Sequence, residues 1–131
     1  DLRILHEPQE GLVRSLLGQP RCPIFVAYRD GRALGMQLFA PLSFISWPLR
    51  DDATVYLFQG VVSERERGGG VGAALLQHSL AWMRRENVRR CGLHYLSANP
   101  SGVPFWTSHG FRPAEHFLHR TVDARMAWSA R

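Results

Sequence analysis

The sequence predicts an α/β (α+β) fold in which a mixed, mostly antiparallel sheet surrounds a central parallel β-α-β unit. One observation is the β-rich stretch at residues 23–28, which a polar turn separates from a second apolar stretch at residues 33–40. That pattern is typical of an antiparallel hairpin. The other observation is an amphipathic helical pattern at residues 71–88 between strand-like segments at residues 53–63 and 91–98. When a helix joins two strands of one sheet, the strands pair with each other in parallel.

The remaining elements flank these two units. Before the hairpin, apolar residues recur at helical spacing over residues 10–17, and Gly18 and Pro20 end that predicted helix. Residues 41–52 contain two prolines and two acidic residues, which predicts a loop. After the central unit we expect a turn at 99–102, a short helix at 103–109 that Gly110 ends, and a strand at 111–122.

The composition is that of a soluble globular protein, since 45% of the residues are hydrophobic and 21% are charged. At 131 residues the chain has room for one core, so we expect a single domain over residues 1–131. No apolar run reaches the roughly 20 residues that cross a bilayer, and the N-terminus lacks a signal-peptide pattern. These features predict a cytoplasmic protein.

The charge and the cysteines exclude some classes of partner. All sixteen basic residues are arginine and the net charge is +5, but they are scattered without interleaved aromatic residues, which disfavours a nucleic-acid partner. Cys22 and Cys91 lack the spacing of a zinc site or a disulfide framework, so we expect two reduced structural cysteines. His116 and His119 would lie on opposite faces of the predicted last strand, so we expect no metal.

The segment from residue 61 to residue 73 joins the predicted central strand to the long helix and has glycine at positions 68, 69, 70 and 72. Glycine has no Cβ atom, and the N–H groups at a helix N-terminus point outward, so this loop suits phosphate oxygens such as those of a pyrophosphate. The alternative is a glycine turn that only lets the helix pack closely. A P-loop is excluded because the chain has no lysine, and Leu75 replaces the third glycine of a dinucleotide fingerprint.

The glycine segment resembles motif A of the GNAT superfamily of N-acetyltransferases, whose pattern Arg/Gln-x-x-Gly-x-Gly/Ala is met by Arg67, Gly70 and Gly72. The resemblance extends over residues 25–111, through Asn99 after the next strand and the Gly-Phe pair at residues 110–111. It implies a GNAT-like fold whose β-α-β unit binds acetyl-CoA as cosubstrate. Few residues precede the hairpin, so the expected domain would lack the family's first strand and helix.

The resemblance also implies where acetyl-CoA would lie. The backbones of Val61 and Val62 would hydrogen-bond the pantetheine arm like an added strand, which agrees with how a strand edge pairs with amides. Asn99 would contact the same arm. The pyrophosphate would be held by the loop and the first turn of the helix, at Gly68, Gly69, Gly70, Val71, Gly72 and Ala73, and Arg67 or Arg65 would lie near a CoA phosphate. The alternative for the charged run at residues 64–67 is a solvated, salt-bridged loop.

The chemistry implied by the resemblance is acetyl transfer to a primary amine of an unidentified acceptor. Trp106 stands where the family often has a tyrosine as general acid, and residues 53–63 lack the carboxylate that many members use as base. His94 is the candidate catalytic residue, because an imidazole can relay a proton near neutral pH. The alternative is a histidine that only fills the core. Packing or surface roles are also the alternatives for three further candidates, Tyr95, Ser108 and His109.

Two other functions stay open at this point. The departures from the family pattern motivate a catalytically impaired GNAT-like domain that binds CoA or a protein partner without turnover. A basic nucleic-acid-binding module would instead require an arginine-rich face. Under the enzyme hypothesis we expect acetyl-CoA and an amine acceptor as partners, no nucleic acid and no membrane, with a homodimer as a family-level expectation.

Overall fold

The computed structural model describes residues 2–6, 22–40, 53–96, 99–116 and 118. The chain divides into two compact units, Asp1–His94 and Tyr95–Arg131. The expected helix at residues 10–17 and the expected loop at residues 41–52 lie outside the described residues. None of the helices among the described residues is both long and apolar enough to cross a membrane.

The first unit contains a five-stranded sheet in which the strands follow one another in chain order. The first four strands are antiparallel, whereas the last two pair in parallel, so the prediction of a mixed sheet is confirmed. The first strand was not predicted from the sequence. The strands are β1 (Arg3–His6), β2 (Ile24–Arg29), β3 (Arg32–Ala40), β4 (Thr54–Val62) and β5 (Arg90–Leu93).

The predicted hairpin is confirmed as β2 and β3, which are joined by a two-residue turn. Asp30 and Gly31 both have positive φ angles, 51° and 75°. Two-residue hairpin loops need this geometry because its twist matches that of the strands, and an Asp-Gly pair adopts it readily. The residues of the turn therefore determine how β2 and β3 are connected.

The long helix, α1, spans Val71–Arg85 and connects β4 to β5. It ends at Arg85 rather than at residue 88, because Asn87 adopts a left-handed conformation with φ of 56°. The N–H of Val88 then donates to the carbonyl oxygen of Met83 at 2.8 Å, which is the hydrogen bond of a Schellman cap. The predicted strand, helix and parallel strand are thus confirmed, with a shorter helix.

The helix α1 packs on one face of the sheet through aromatic contacts. The ring of Trp82 lies 5.3 Å from that of Phe39 and 5.8 Å from that of Phe25. Phe25 and Phe39 are almost completely buried. Aromatic side chains contribute much of the apolar area of a core. This core holds α1 against the sheet, with its N-terminus a short loop away from the end of β4.

The second unit contains one short helix, α2, at Gly102–Ser108. It agrees with the predicted helix to within one residue at each end. The strand predicted at residues 111–122 is wrong for residues 111–116, which form no strand, and most of the rest lies outside the described residues. Residues 112–116 are all exposed, and Pro113 has no N–H to donate to a neighbouring strand. The opposite-face argument for His116 therefore loses its premise.

Candidate active site

The central strand β4 contains a bulge at Phe58. On β3, Leu38 lies opposite Gln59. The next residue, Phe39, lies opposite Leu57, so Phe58 has no counterpart on β3. A bulge bends the strand that carries it and increases its local twist. The direction of β4 therefore changes just after Leu57.

The pairing between β4 and β5 stops at the same place. The last register pair is Leu57 with Leu93, where β5 ends. Because β5 is the outermost strand of the described sheet, residues 58–62 of β4 have no neighbouring strand on that side within the described chain. Phe58 and Val61 are each 52% exposed. This outer edge offers backbone N–H and C=O groups to an extended ligand, and it includes the predicted residue Val62. The carbonyl oxygen of the other predicted residue, Val61, lies on the β3 side instead, 2.7 Å from where a Cβ atom on Gly35 would be.

A glycine loop follows the end of β4. After a 3₁₀ helix at Glu64–Glu66, Gly68 and Gly70 adopt left-handed conformations with φ of 76° and 84°. A Cβ atom built on either glycine would have no other atom within 4 Å. These two glycines therefore serve the backbone conformation and leave the outer surface of the loop open, which argues against a turn whose glycines only permit close packing.

The N-terminus of α1 has no side-chain cap. Gly70 occupies the N-cap position, and the first helical hydrogen bond is the one that Ala74 N–H donates to the Gly70 carbonyl oxygen at 2.9 Å. The N–H groups of Val71, Gly72 and Ala73 precede that bond, so the helix itself supplies no acceptor for them. Together with the helix dipole, such N–H groups attract an anion.

The charged run at residues 64–67 is bound to the hairpin turn through one residue, Glu66. Glu66 accepts hydrogen bonds from Arg29 and Arg32 at the hairpin turn, each over 3.3 Å. These two ion pairs agree in part with the alternative hypothesis, in which residues 64–67 form a solvated, salt-bridged loop. Within the described part of the chain, neither Arg65 nor Arg67 forms an ion pair. Both are exposed on the loop, so either guanidinium can reach a phosphate.

His94 lies where β4 and β5 separate. It follows the last residue of β5, so the prediction that His94 belongs to a strand reaching residue 98 is wrong. The physical reason is that β4 turns away after Leu57 and leaves the continuation of β5 without a partner. The Nδ1 atom of His94 shares a hydrogen bond of 2.8 Å with the hydroxyl oxygen of Tyr56. His94 is exposed whereas Tyr56 is buried, so His94 is not a histidine that merely fills the core.

Tyr56 is a further candidate site residue, which sequence reasoning missed. Its ring centroid lies 5.6 Å from that of His94 and 6.4 Å from that of Phe58. The only signal in the sequence is a tyrosine with a polar hydroxyl inside a mostly apolar strand. Buried tyrosine hydroxyls usually find a partner, but the sequence does not tell which one.

The thiol of Cys91 lies near this region on β5 but is not suited to nucleophilic chemistry. Burial raises the pKa of Cys91 to about 12, and a backbone hydrogen bond at Leu57 offsets only a part of that effect. At neutral pH the group is therefore a thiol rather than a reactive thiolate. Among the residues that the structure describes, no three His, Cys, Asp or Glu side chains come together as a metal site.

Asn99, in the second unit, supports the start of α2. Its Oδ1 atom accepts hydrogen bonds from the N–H groups of Ser101 and Gly102 at 3.1 and 3.3 Å. Asparagine commonly organises turns in this way. The predicted contact with the pantetheine arm would have to use the amide nitrogen, since the carbonyl oxygen serves the turn.

The other candidates in the second unit bind their own helix. The Ser108 hydroxyl and the Nδ1 atom of His109 both hydrogen-bond to the Phe105 carbonyl oxygen, at 2.9 and 2.7 Å. The ring of Trp106 contacts those of Phe105 and Phe111 at centroid distances of 4.8 and 5.3 Å. These contacts favour structural roles at the end of α2 over proton transfer.

Comparisons with known proteins agree with this geometry. The model of the acetyltransferase (GNAT) family matches residues 3–111. A sequence comparison with curated proteins finds no match.

Solved structures share the fold. One is the aminoglycoside N-acetyltransferase AAC(6')-Iy in complex with CoA, at 17% identity and a TM-score of 0.72 over 95% of this chain and 100% of the other. Another is an aminoglycoside acetyltransferase, meta-AAC0020, from an uncultured soil metagenomic sample, at 13% identity and a TM-score of 0.71 over 95% and 97%. An integron cassette protein of V. cholerae gives 21% identity and a TM-score of 0.61 over 79% of this chain. The present chain spans only 62% of the length of that protein.

Proposed function

Because this chain belongs to the acetyltransferase (GNAT) family, we propose that it is an N-acetyltransferase that transfers the acetyl group of acetyl-CoA to a primary amine. One observation carries the proposal. The open edge of β4, the glycine loop and the uncapped start of α1 follow one another without interruption over residues 58–73. A strand edge that pairs with amides and an adjoining anion site suit the two halves of a CoA molecule.

The cosubstrate would bind along this segment from the strand to the helix. The outward backbone groups of Val62 pair with the amides of the pantetheine arm, since the Val61 carbonyl oxygen lies towards β3. The N–H groups from Gly68 to Ala73 hold the pyrophosphate, and the Arg67 guanidinium adds a positive charge beside it. The thioester then lies towards the bulge at Phe58, where an outward-pointing β4 N–H can donate to the carbonyl oxygen and stabilise the negative charge that develops there.

We assign the proton transfer to His94, which lies at the point where β4 and β5 separate. The amine nitrogen attacks the thioester carbonyl carbon, a C–N bond forms and the C–S bond breaks. The nitrogen loses one proton, and the leaving CoA thiolate gains one. A single imidazole takes the proton from nitrogen and returns it to sulfur, so it ends in the state in which it began. This role needs no carboxylate on β4 and no acid at position 106.

The first experiment compares Gly72→Glu with Gly72→Gln in thermal melts with acetyl-CoA. Gly72 lies in the first turn of α1 and is not among the glycines with positive φ. A carboxylate there suits the helix dipole but repels a pyrophosphate, whereas the amide has the same shape and no charge. At a hundredfold excess over Kd, acetyl-CoA should stabilise the parent by about 2.7 kcal/mol. The Kd of Gly72→Glu should exceed that of Gly72→Gln by about tenfold.

Either of two results would refute this binding site. One is a parent protein whose melting temperature does not change with acetyl-CoA. The other is equal affinity in Gly72→Glu and Gly72→Gln, because charge at the start of α1 would then not matter.

The second candidate function is CoA binding without turnover, which Trp106 favours because an indole cannot protonate a thiolate. Release of CoA thiol from acetyl-CoA in the presence of amines separates the two functions. AAC(6')-Iy is an aminoglycoside N-acetyltransferase, so aminoglycosides form one class in the amine panel, beside small amines and peptide N-termini. Binding of acetyl-CoA without release of CoA thiol in the presence of any amine of the panel would support the second function.

A further inference from the structure

The hydrogen bond between Tyr56 and His94 joins a fixed side chain to an accessible one. Tyr56 is only 5% exposed and lies on the paired part of β4, directly before the last register pair with β5. His94 directly follows that pair on β5. The two rings therefore meet at the point where the strands begin to separate, which is where the proposed reaction takes place.

Both side chains lie on the sheet face away from α1. Leu57 lies opposite Phe39, whose ring contacts Trp82 of α1, so Leu57 belongs to the helix-covered face. Successive residues of a strand point to opposite faces, which places Tyr56 on the other side. The contact with Tyr56 places His94 there as well. The imidazole is thus separated from the packed helix and borders the open edge of β4.

We propose that Tyr56 is a positioning residue for His94: its hydroxyl oxygen accepts a hydrogen bond from Nδ1–H and so keeps the Nε2 lone pair of the imidazole as the site that takes up the proton. This inference rests on the acetyl transfer proposed above. Tyr56 itself touches neither the amine nor the thioester. It acts by selecting one of the two neutral forms of the ring.

The direction of the hydrogen bond follows from the proton balance. If Nδ1 accepted from the tyrosine O–H, Nε2 would already carry a hydrogen and could not take one from the amine. If Nδ1–H donates to the tyrosine oxygen, Nε2 takes the amine proton and the imidazolium keeps the same bond, now charge-assisted. The Nε2–H proton then passes to the thiolate of CoA. The bond to Tyr56 persists through the whole cycle.

Few other ionisable groups on the neighbouring strands compete with this pair. Tyr56 is the one titratable side chain of β4, since the remaining residues of Thr54–Val62 carry none. On β5, Arg90 lies at the far end of the strand, and Cys91 lies opposite Val55, on the face of the sheet that α1 covers. Within the described chain, the Tyr56 hydroxyl is therefore the ionisable group of these two strands that faces the imidazole.

The experiment combines three variants with two measurements. Tyr56→Phe keeps the ring and removes the oxygen, His94→Gln removes the imidazole, and the double variant removes both. We expect Tyr56→Phe to lower kcat by about ten- to hundredfold, the range for a lost hydrogen bond to a charged group, with the KM for acetyl-CoA unchanged. The double variant should be no slower than His94→Gln, because a positioning residue has no effect once its target is absent. Tyr28→Phe, on β2, is the matched control and should keep the parent kcat.

Heteronuclear NMR of the ring nitrogens measures the tautomer of His94 without any need for turnover. At alkaline pH the parent should show hydrogen on Nδ1, and Tyr56→Phe should shift the ring towards hydrogen on Nε2. Hydrogen on Nε2 in the parent would overturn the inference, as would an unchanged kcat in Tyr56→Phe. If no amine gives turnover while acetyl-CoA binds, the proposed function fails, and the tautomer still decides whether Tyr56 orients His94.

Discussion

A Cβ atom on Gly35 would lie 2.7 Å from the carbonyl oxygen of Val61 and 3.2 Å from the Cα atom of Val62. The strands β3 and β4 therefore approach each other closely beside Val62, which we propose pairs with the pantetheine arm. The same Cβ would be 3.3 Å from Cδ1 of Leu75 on α1. The lack of a side chain at position 35 thus permits the contact of two strands and a helix next to the site.

We expect Gly35→Ala to destabilise the protein and to weaken acetyl-CoA binding. The added methyl group cannot avoid backbone atoms of β4, and overpacking of this kind costs about 1–3 kcal/mol. Relief of the clash requires Val61 and Val62 to move, so the Kd for acetyl-CoA should rise. Urea denaturation gives the first effect and a ligand-dependent melt gives the second.

Gly31→Asn is the control for a glycine substitution outside this contact. Gly31 lies in the hairpin turn, nothing is within 4 Å of its Cβ position, and asparagine tolerates its positive φ. Its stability should therefore stay close to that of the parent. Parent-like stability and affinity in Gly35→Ala would show that β3 and β4 can separate without consequence for the site.

A buried hydrogen bond connects α1 to β3. The hydroxyl of Ser79 donates to Oε1 of Gln37 over 2.5 Å, and both residues are almost fully buried. We expect Ser79→Ala to lower the free energy of unfolding by about 1–3 kcal/mol, because the Gln37 oxygen loses its donor in a place that water does not reach. Chemical denaturation of the variant measures this loss.

The double variant Ser79→Ala with Gln37→Leu tests the cause. Replacing both partners by apolar groups removes the unsatisfied oxygen, so the double variant should be more stable than the two single losses added together predict. Strict additivity of the two losses would mean that the hydrogen bond contributes little and that packing alone accounts for the effect.

The sequence predicts the parts of this fold that local chemistry decides. The Asp30-Gly31 pair accounts for the hairpin, and the glycines before Val71 account for the start of α1. The predictions of the fold class and the family are also confirmed. They could be made because the β-α-β order and the motif at residues 67–72 are both local patterns.

The extent of strand pairing depends instead on contacts between distant residues. β5 ends at Leu93 because β4 bends away at Phe58, and the bend is a matter of register against β3. The partner of His94 lies 38 residues earlier in the chain, so no spacing rule could have identified Tyr56. The bonds from the hairpin arginines to Glu66 were missed for the same reason.

Both cysteines should react slowly with thiol reagents in the native protein. Burial raises the pKa of Cys22 to about 11 and that of Cys91 to about 12. The thiolate is the reactive form, so labelling by a disulfide reagent at neutral pH should be slow in the native state and fast in denaturant. The same reagent reports CoA release, so a slow protein background also makes that assay clean. Labelling as fast as that of an unstructured cysteine peptide would contradict this prediction, and Cys22→Ala and Cys91→Ala would identify the thiol responsible.

His78 should make stability depend on pH. Its ring packs against Phe25 at a centroid distance of 4.8 Å, and burial lowers the pKa of His78 below its ordinary value of 6.5, with a smaller contribution from the Arg85 guanidinium. Between the lowered pKa and 6.5 the unfolded chain binds more protons than the native protein, so the free energy of unfolding rises with pH in that window. We expect stability to fall as the pH drops through 6.5 and the loss to level off below the lowered pKa.

Denaturation midpoints measured from about pH 7 to about pH 5 test this dependence on His78, the range in which histidine changes charge. In His78→Gln the dependence on pH should be flatter than in the parent, because the side chain no longer takes up a proton on unfolding. Equal slopes in the parent and in His78→Gln would mean that burial of His78 does not influence its proton uptake and that other groups cause the pH dependence.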